Sequence, residues 1–212
     1  ATVANAPVGI QTYGSMVIDS ITRTCTTGFD AYESTLDNCA AMGGTTGVAL
    51  GFKSRLINSR ITNNTTGVLV DEGYAEVRDC HISSSVSAGI HITGANNCII
   101  GNAVIDSHNA SGSFGYGIRV DADSTGNVLD SNTGTRNYFG MVVSGTNNVV
   151  TRNAFGATVG ADAPAQYQIA AGNRFGSLVK ANTNAGTTSV SPNSNTVAGT
   201  MTTTDPNANL FW

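Results

Sequence analysis

Gly47-Val48-Ala49-Leu50, Gly67-Val68-Leu69-Val70 and Gly89-Ile90-His91-Ile92 are one phrase written three times: a glycine, an apolar residue, a variable residue and a second apolar one. Upstream the phrase stands at Gly9-Ile10-Gln11-Thr12 and Gly28-Phe29-Asp30-Ala31, and downstream at Gly117-Ile118-Arg119-Val120 and Gly140-Met141-Val142-Val143. Successive glycine numbers differ by 19, 19, 20, 22, 28 and 23, a period that marks a repeat architecture. A second apolar anchor follows each glycine at Val17, Leu36, Leu56, Val77, Ile99, Val128 and Val149. A third small or apolar residue comes four or five positions later, at Ile21, Ala40, Ile61, Ile82, Val104, Thr133 and Ala154. Asn, Asp, Ser and Gly fill the intervals, and these residues favour corners because they tolerate left-handed backbone and bond their own main chain.

Each unit therefore reads as three short strands and three corners. Alternation along a strand turns the first and third residues after glycine inward and the second outward. Such strands cannot bury an inner face alone, so the units must stack, about 4.8 Å apart, around one continuous core. The fold class is all-β, a parallel solenoid of about seven coils over residues 1–179, with 180–212 as a polar capping tail anchored by Leu210, Phe211 and Trp212. The segment 1–8 is expected to be a minimal cap, or upstream coils have been removed, or a partner covers that end.

Composition agrees. Of 212 residues only 11% are charged, with three glutamates and two lysines, too few for long solvated helices. A net charge of −4 gives no footprint for nucleic acid, and no apolar run approaches the roughly 20 residues of a membrane span. Cys25, Cys39, Cys80 and Cys98 lack zinc-site spacing. Cys39 and Cys80 fall in like places two coils apart, roughly 9.6 Å, beyond disulfide reach. Buried free thiols are expected.

On Leu56-Ile57-Asn58-Ser59-Arg60-Ile61 and Val77-Arg78-Asp79-Cys80-His81-Ile82 the chain resembles the right-handed parallel β-helix proteins of the pectate-lyase-like superfamily, from about Gly9 to Val179. The resemblance implies right-handed coils, a secreted or cell-surface location, and a groove on the outer face of one sheet. In polygalacturonase-like members that groove lies on the Gly-apolar-x-apolar strand. Here the outward row is Gln11, Asp30, Ala49, Leu69, His91, Arg119 and Val142. No two carboxylates are adjacent in it, so the acid and base pair of glycoside hydrolysis is missing.

Chemistry on uronates needs instead a cation to neutralise the sugar carboxylate and a base for the C5 proton. His91 and Arg119 stand on consecutive coils, with Asp71 and Asp121 at the edge two residues further on. These four are the candidate catalytic residues, and equally the ordinary decoration of a solvent-facing sheet. His108, Phe114, Tyr116, Arg136 and Tyr138 gather around the insertion 107–116 as candidate ligand-binding residues. Their rings serve either as a sugar platform or as a ladder sealing the corner. Asp121, Asp123 and Thr125 match the first half of a calcium loop, which makes calcium the one ion the sequence suggests, although Asx-rich turns are common between strands. No other cofactor is indicated.

The leading expectation is an extracellular β-helix module that binds polysaccharide or acts as a rigid spacer. A polysaccharide lyase or epimerase using His91 and Arg119 is the second. A trimeric fibre or adhesin segment, a homo-oligomer formed through outward Leu69, Val142 and the aromatics of the C-terminal tail, is the third.

Overall fold

The computed structural model describes residues 1–112, 114–156, 165–180, 188–190, 196–197 and 206–211. The described chain holds 28 strands and no helix, so no helix is long and apolar enough to cross a membrane. All strands pair in parallel in three sheets, of nine, eight and eleven strands. The coil visits them in a fixed order. The glycine sheet carries Val8–Tyr13, Thr27–Tyr32, Thr46–Leu50, Thr66–Val70, Ala88–Ile92, Tyr116–Val120, Phe139–Val143 and Ala165–Ile169. The second sheet carries three-residue strands such as Glu76–Arg78, and the third carries strands such as His81–Ser83.

The register runs Val48, Val68, Ile90, Ile118, Met141 up the glycine sheet. All five are fully buried, as are Leu50, Val70, Ile92 and Val120, while the residues between them face outward. The leading glycines are a matter of space. A Cβ on Gly28 would lie 2.4 Å from the Gly47 carbonyl oxygen, and one on Gly117 would lie 2.5 Å from that of Gly140. Any side chain there would push the rungs apart.

The coil makes about eight turns, in keeping with the expected number, and the rung after Gly140 carries Gln166 in the glycine place. Phe139 pairs with Ala165 and Met141 with Tyr167, and Gln166 is buried with no partner for its Nε2 among the described residues. The anchor columns also need correction. On the second sheet the inward column is Leu36, Leu56, Val77, Ile99, Leu129, Val150, so Val128 and Val149 face outward. On the third sheet it is Thr22, Ala41, Ile61, Ile82, Val104, Gly134, Phe155, which displaces Ile21, Ala40, Thr133 and Ala154. Each slip is one residue; at Val128-Leu129, Val149-Val150 and Ala40-Ala41 the two neighbours are alike in character and only pairing separates them.

The corners share one design. A residue in left-handed backbone, such as Asn38, Asn58 or Ser131, is followed by a small buried residue, here Cys39, Ser59 and Asn132. Between the second and third sheets the buried residues line up as a ladder. Cys39 N donates to Ser59 Oγ at 3.0 Å, and Cys80 N to Asn102 Oδ1 at 3.0 Å. Asn102 N donates to Asn132 Oδ1 at 3.1 Å, and Asn132 N to Asn153 Oδ1 at 2.9 Å. A second ladder joins Asn97, Asn127, Asn148 and Asn173 at the corner before it. Each amide thus satisfies the backbone of the rung below, where an orphaned buried group would cost about 1–3 kcal/mol.

All four cysteines are free, and Cys25, Cys39 and Cys80 are buried as expected; Cys98 is only half-buried, on the outer face of the second sheet. Strands also form near both ends of the described chain. Thr2–Ala4 pairs with Ile21–Arg23 as part of a preceding turn of coil. Pairing continues past Val179, with Leu178–Lys180 in the third sheet and Thr188–Val190 in the glycine sheet. Asn209–Phe211 enters the third sheet as a strand; Trp212 lies outside the described residues.

Candidate functional site

The strands Ala88–Ile92 and Tyr116–Val120 lie side by side, with His91 directly opposite Arg119 on the outer face of the glycine sheet. Leu69 flanks His91 and Val142 flanks Arg119 in the same row. The row's only carboxylate, Asp30, accepts a hydrogen bond from Gln11 Nε2 at 2.9 Å. Its register neighbours in the row, Gln11 and Ala49, are not carboxylates.

Asp121, one residue past the end of its strand, binds both basic groups. His91 Nε2 lies 3.0 Å from Asp121 Oδ2, and Arg119 Nε donates to Asp121 Oδ1 at 2.8 Å. The triad stays accessible, with side chains 22% exposed for His91, 38% for Arg119 and 31% for Asp121. Arg119 Cζ sits 5.3 Å from the centre of the Tyr116 ring, which supports the guanidinium from one side. Its Nε bond to Asp121 is the only hydrogen bond or ion pair of Arg119 among the described residues, so both terminal nitrogens remain open. His91 likewise uses only Nε2.

Asp71 does not join this group. Its backbone lies two rungs from Asp121, with Thr93 between them in the sequence of main-chain bonds. Desolvation, with the charges of Glu72 and Asp30 adding, holds its carboxyl above the ordinary carboxylate range.

The insertion brings together rings but not all its polar residues. Tyr116 and Phe139 stack at 5.0 Å with planes 14° apart. Phe114 meets Tyr116 edge-on at 5.3 Å, and Tyr138 meets Phe139 in the same way at 5.0 Å. The stack turns one face of Tyr116 to one face of Phe139. Arg136 turns to Asp106, its Nε 2.6 Å from Oδ1, and His108 Nδ1 lies 2.9 Å from the Asn109 carbonyl.

At the turn suggested for calcium, Ser124 N donates to the Asp121 carbonyl, Asp123 is exposed, and both Asp121 carboxylate oxygens are engaged. Among the described residues no three His, Cys, Asp or Glu side chains gather as a metal site.

One surface feature escaped the sequence reading. Tyr13 and Tyr32 stack at 4.6 Å, Tyr32 and Phe52 lie 6.2 Å apart, and Phe52 and Tyr74 meet edge-on at 5.8 Å, forming an aromatic file along one corner. Its members are 19, 20 and 22 residues apart, in step with the glycines, and that spacing was the available signal.

A family model described as "right handed beta helix region" matches residues 9–200. The chain belongs to that family. Among solved structures it is similar to an alginate lyase from Paenibacillus sp. str. FPU-7, with a TM-score of 0.56 and 12% identity over 99% of this chain and 97% of the lyase. A periplasmic alginate epimerase, AlgG, crystallised as a double mutant, gives a TM-score of 0.39 and 15% identity over 93% of this chain and 49% of its own. No curated protein matches by sequence. At such identities the lyase shares the β-helix fold, and fold does not dictate activity.

Proposed function

We propose that this β-helix is an extracellular or cell-surface module that binds a uronate-containing polysaccharide on the outer face of its glycine sheet, with Arg119 as the carboxylate anchor. The observation that carries the reading is the state of Arg119. Asp121 holds Nε and the Tyr116 ring supports the plane, so the guanidinium is oriented while its two terminal nitrogens stay open for a bidentate carboxylate contact. His91, fixed by the same aspartate, adds a second polar contact one rung away. A column of stacked coils holds this pair rigidly, which lowers the ordering cost of binding. The similarity of fold to an alginate lyase supports an acidic glycan as the ligand class.

Retention on immobilised polyuronate compared with a neutral glucan tests the reading. The wild-type chain is retarded only by the polyuronate, and Arg119→Ala abolishes that retardation. Equal retention of both proteins, or none of either, contradicts it.

One observation favours a second reading, a lyase or epimerase. If His91 donates Nε2–H to Asp121, its Nδ1 carries a lone pair and has no partner among the described residues, the tautomer of a base oriented by a carboxylate. In that reading Nδ1 takes the C5 proton while Arg119 neutralises the sugar carboxylate. Elimination then breaks the C4–O bond, and the departing oxygen takes a proton; epimerisation returns a proton to the opposite face of C5. Ultraviolet absorbance from an unsaturated product, or a changed uronate composition without cleavage, would establish it, with His91→Ala abolishing either signal.

A further inference from the structure

Carboxylates crowd the aromatic file at the corner that follows the glycine sheet. Tyr13 faces Tyr32 on the adjacent rung. Main-chain bonds from Gly51 N to Ala31 O and from Asp71 N to Leu50 O carry the same column on through Gly51 to Asp71. A Cβ on Gly51 would lie 2.9 Å from Tyr32 Cδ2, so the ring leans over a step that has no side chain of its own. A notch results, floored by Gly51, with Tyr32 on one side and Asp71 on the other.

Negative charge converges on this notch. Desolvation is the largest influence raising the Tyr32 hydroxyl above its ordinary range, and Glu72, Tyr13 and Glu33 add to it. The charges of Glu72 and Asp30 likewise add to the desolvation of Asp71. None of Asp30, Glu33, Asp71 and Glu72 enters an ion pair among the described residues. Glu72 Oε2 accepts from Phe52 N at 3.0 Å, which fixes that carboxylate against the file. One cation is already drawn in: Lys53 Nζ sits 4.8 Å from the centre of the Phe52 ring.

Sealing the corner does not account for these rings. Tyr13 is 68% exposed and Tyr74 61%, so the two ends of the file leave most of their surface in water. Tyr74 also holds a φ of +63°, a left-handed backbone that a bulky residue rarely adopts. The charges select what such a surface takes. Four carboxylates against Lys53 repel a uronate and favour a cation. The flat rings favour a ligand with a flat apolar face, which a pyranose ring offers and a lysine side chain does not. An ammonium carried on that ring meets both the tyrosine faces and the carboxylates.

We infer that the corner from Tyr13 to Tyr74 is a second ligand site, which takes a glycan of cationic amino sugars, its rings on the tyrosines and an ammonium in the Gly51 notch against Asp71 and Glu72. The site is separate from Arg119 and does not rest on the uronate reading: Asp71 stands two rungs from Asp121, with Thr93 between them.

Calorimetric titration of the full chain at mildly acidic pH tests it with three probes: a glucosamine tetramer, its fully N-acetylated counterpart and tetralysine. The glucosamine tetramer should bind at least about tenfold more tightly than either of the others. Tyr74→Ala and Asp71→Asn, both at exposed positions, should each weaken it at least about tenfold with the fold intact by circular dichroism. Asp123→Asn, which removes an exposed carboxylate elsewhere on the surface, should leave it unchanged. No binding of the glucosamine tetramer overturns the site. Equal binding of the N-acetylated tetramer overturns the role of the charge, and equal or tighter binding of tetralysine overturns the sugar. Binding that survives Tyr74→Ala, or that falls as far with Asp123→Asn as with Asp71→Asn, overturns the assignment to this corner.

Discussion

The ring of Phe155 occupies the space in which a side chain on Gly134 would stand. The two are register partners on adjacent rungs of the third sheet, and a Cβ built on Gly134 lies 2.4 Å from Phe155 Cε1. The inward column above them is Ile61, Ile82 and Val104, one medium-sized side chain per rung. Here one rung gives up its side chain and the next supplies a ring large enough for both. Phe155→Ala should cost about 3–5 kcal/mol in urea unfolding, and Gly134→Val about 1–3 kcal/mol through overpacking. A Cβ on Gly134 also lies 2.6 Å from the Val104 carbonyl oxygen, so the double variant Gly134→Val with Phe155→Val relieves only the clash with the ring. Its loss should fall below the sum of the two single losses while staying well above zero. Strict additivity would contradict the pairing.

The ladder amides carry stability out of proportion to their number. Asn132 accepts from Asn102 N and donates through Nδ2 to the Ile99 carbonyl at 2.9 Å. Asn132→Ala orphans both, at about 2–5 kcal/mol by thermal or chemical unfolding. Thr133→Ser, next in the chain and exposed, should change stability by less than about 0.5 kcal/mol.

Thiol chemistry follows burial. Cys25, Cys39 and Cys80 are each 2% exposed, and desolvation pushes the Cys80 thiol up to about 12. A thiol-specific reagent at pH 8 should label Cys98 alone in the folded protein and all four after unfolding. Rapid labelling of Cys80 in the native state would contradict the packing of that corner.

Acid stability turns on Asp130. Hydrogen bonding from Arg152 is the largest influence holding its carboxyl below the ordinary carboxylate range, against the opposing effect of burial. A carboxyl depressed in the folded state stabilises the protein above its unfolded value, near about 3.9, and loses that contribution as pH falls through the folded value. Asp130→Asn should therefore lower the melting temperature at pH 7 and flatten its decline below about pH 4. An unchanged acid limb would count against the Arg152 pair.

The glycine phrases made the stacked coil legible because the residue class and the spacing repeat together. They also placed His91 opposite Arg119, since both occupy the outward slot of their phrase. The corners hid more. Asn102, Asn132 and Asn153 read as generic turn residues, because the sequence does not reveal whether an asparagine after a left-handed residue points outward or stacks beneath the next rung. Gln166 concealed the eighth rung by replacing the glycine that announces the others. Asn209 lies 56 residues from Asn153, the neighbour whose backbone amide it satisfies, and no local pattern announces a contact at that range. The pairing of Asp121 with both basic residues was half visible: the aspartate was placed at the right edge, but its two oxygens had to be seen to divide between His91 and Arg119.

Calorimetric titration of the folded chain with a defined oligouronate tests the binding account most directly. The wild-type protein should bind with an affinity that weakens as salt rises, and Arg119→Ala should weaken it at least about tenfold with the fold intact by circular dichroism. Arg119→Lys should rescue little of the loss, because an ammonium cannot make the two-nitrogen contact. Binding that survives Arg119→Ala unchanged, or no heat from the wild-type protein with any uronate, would contradict it.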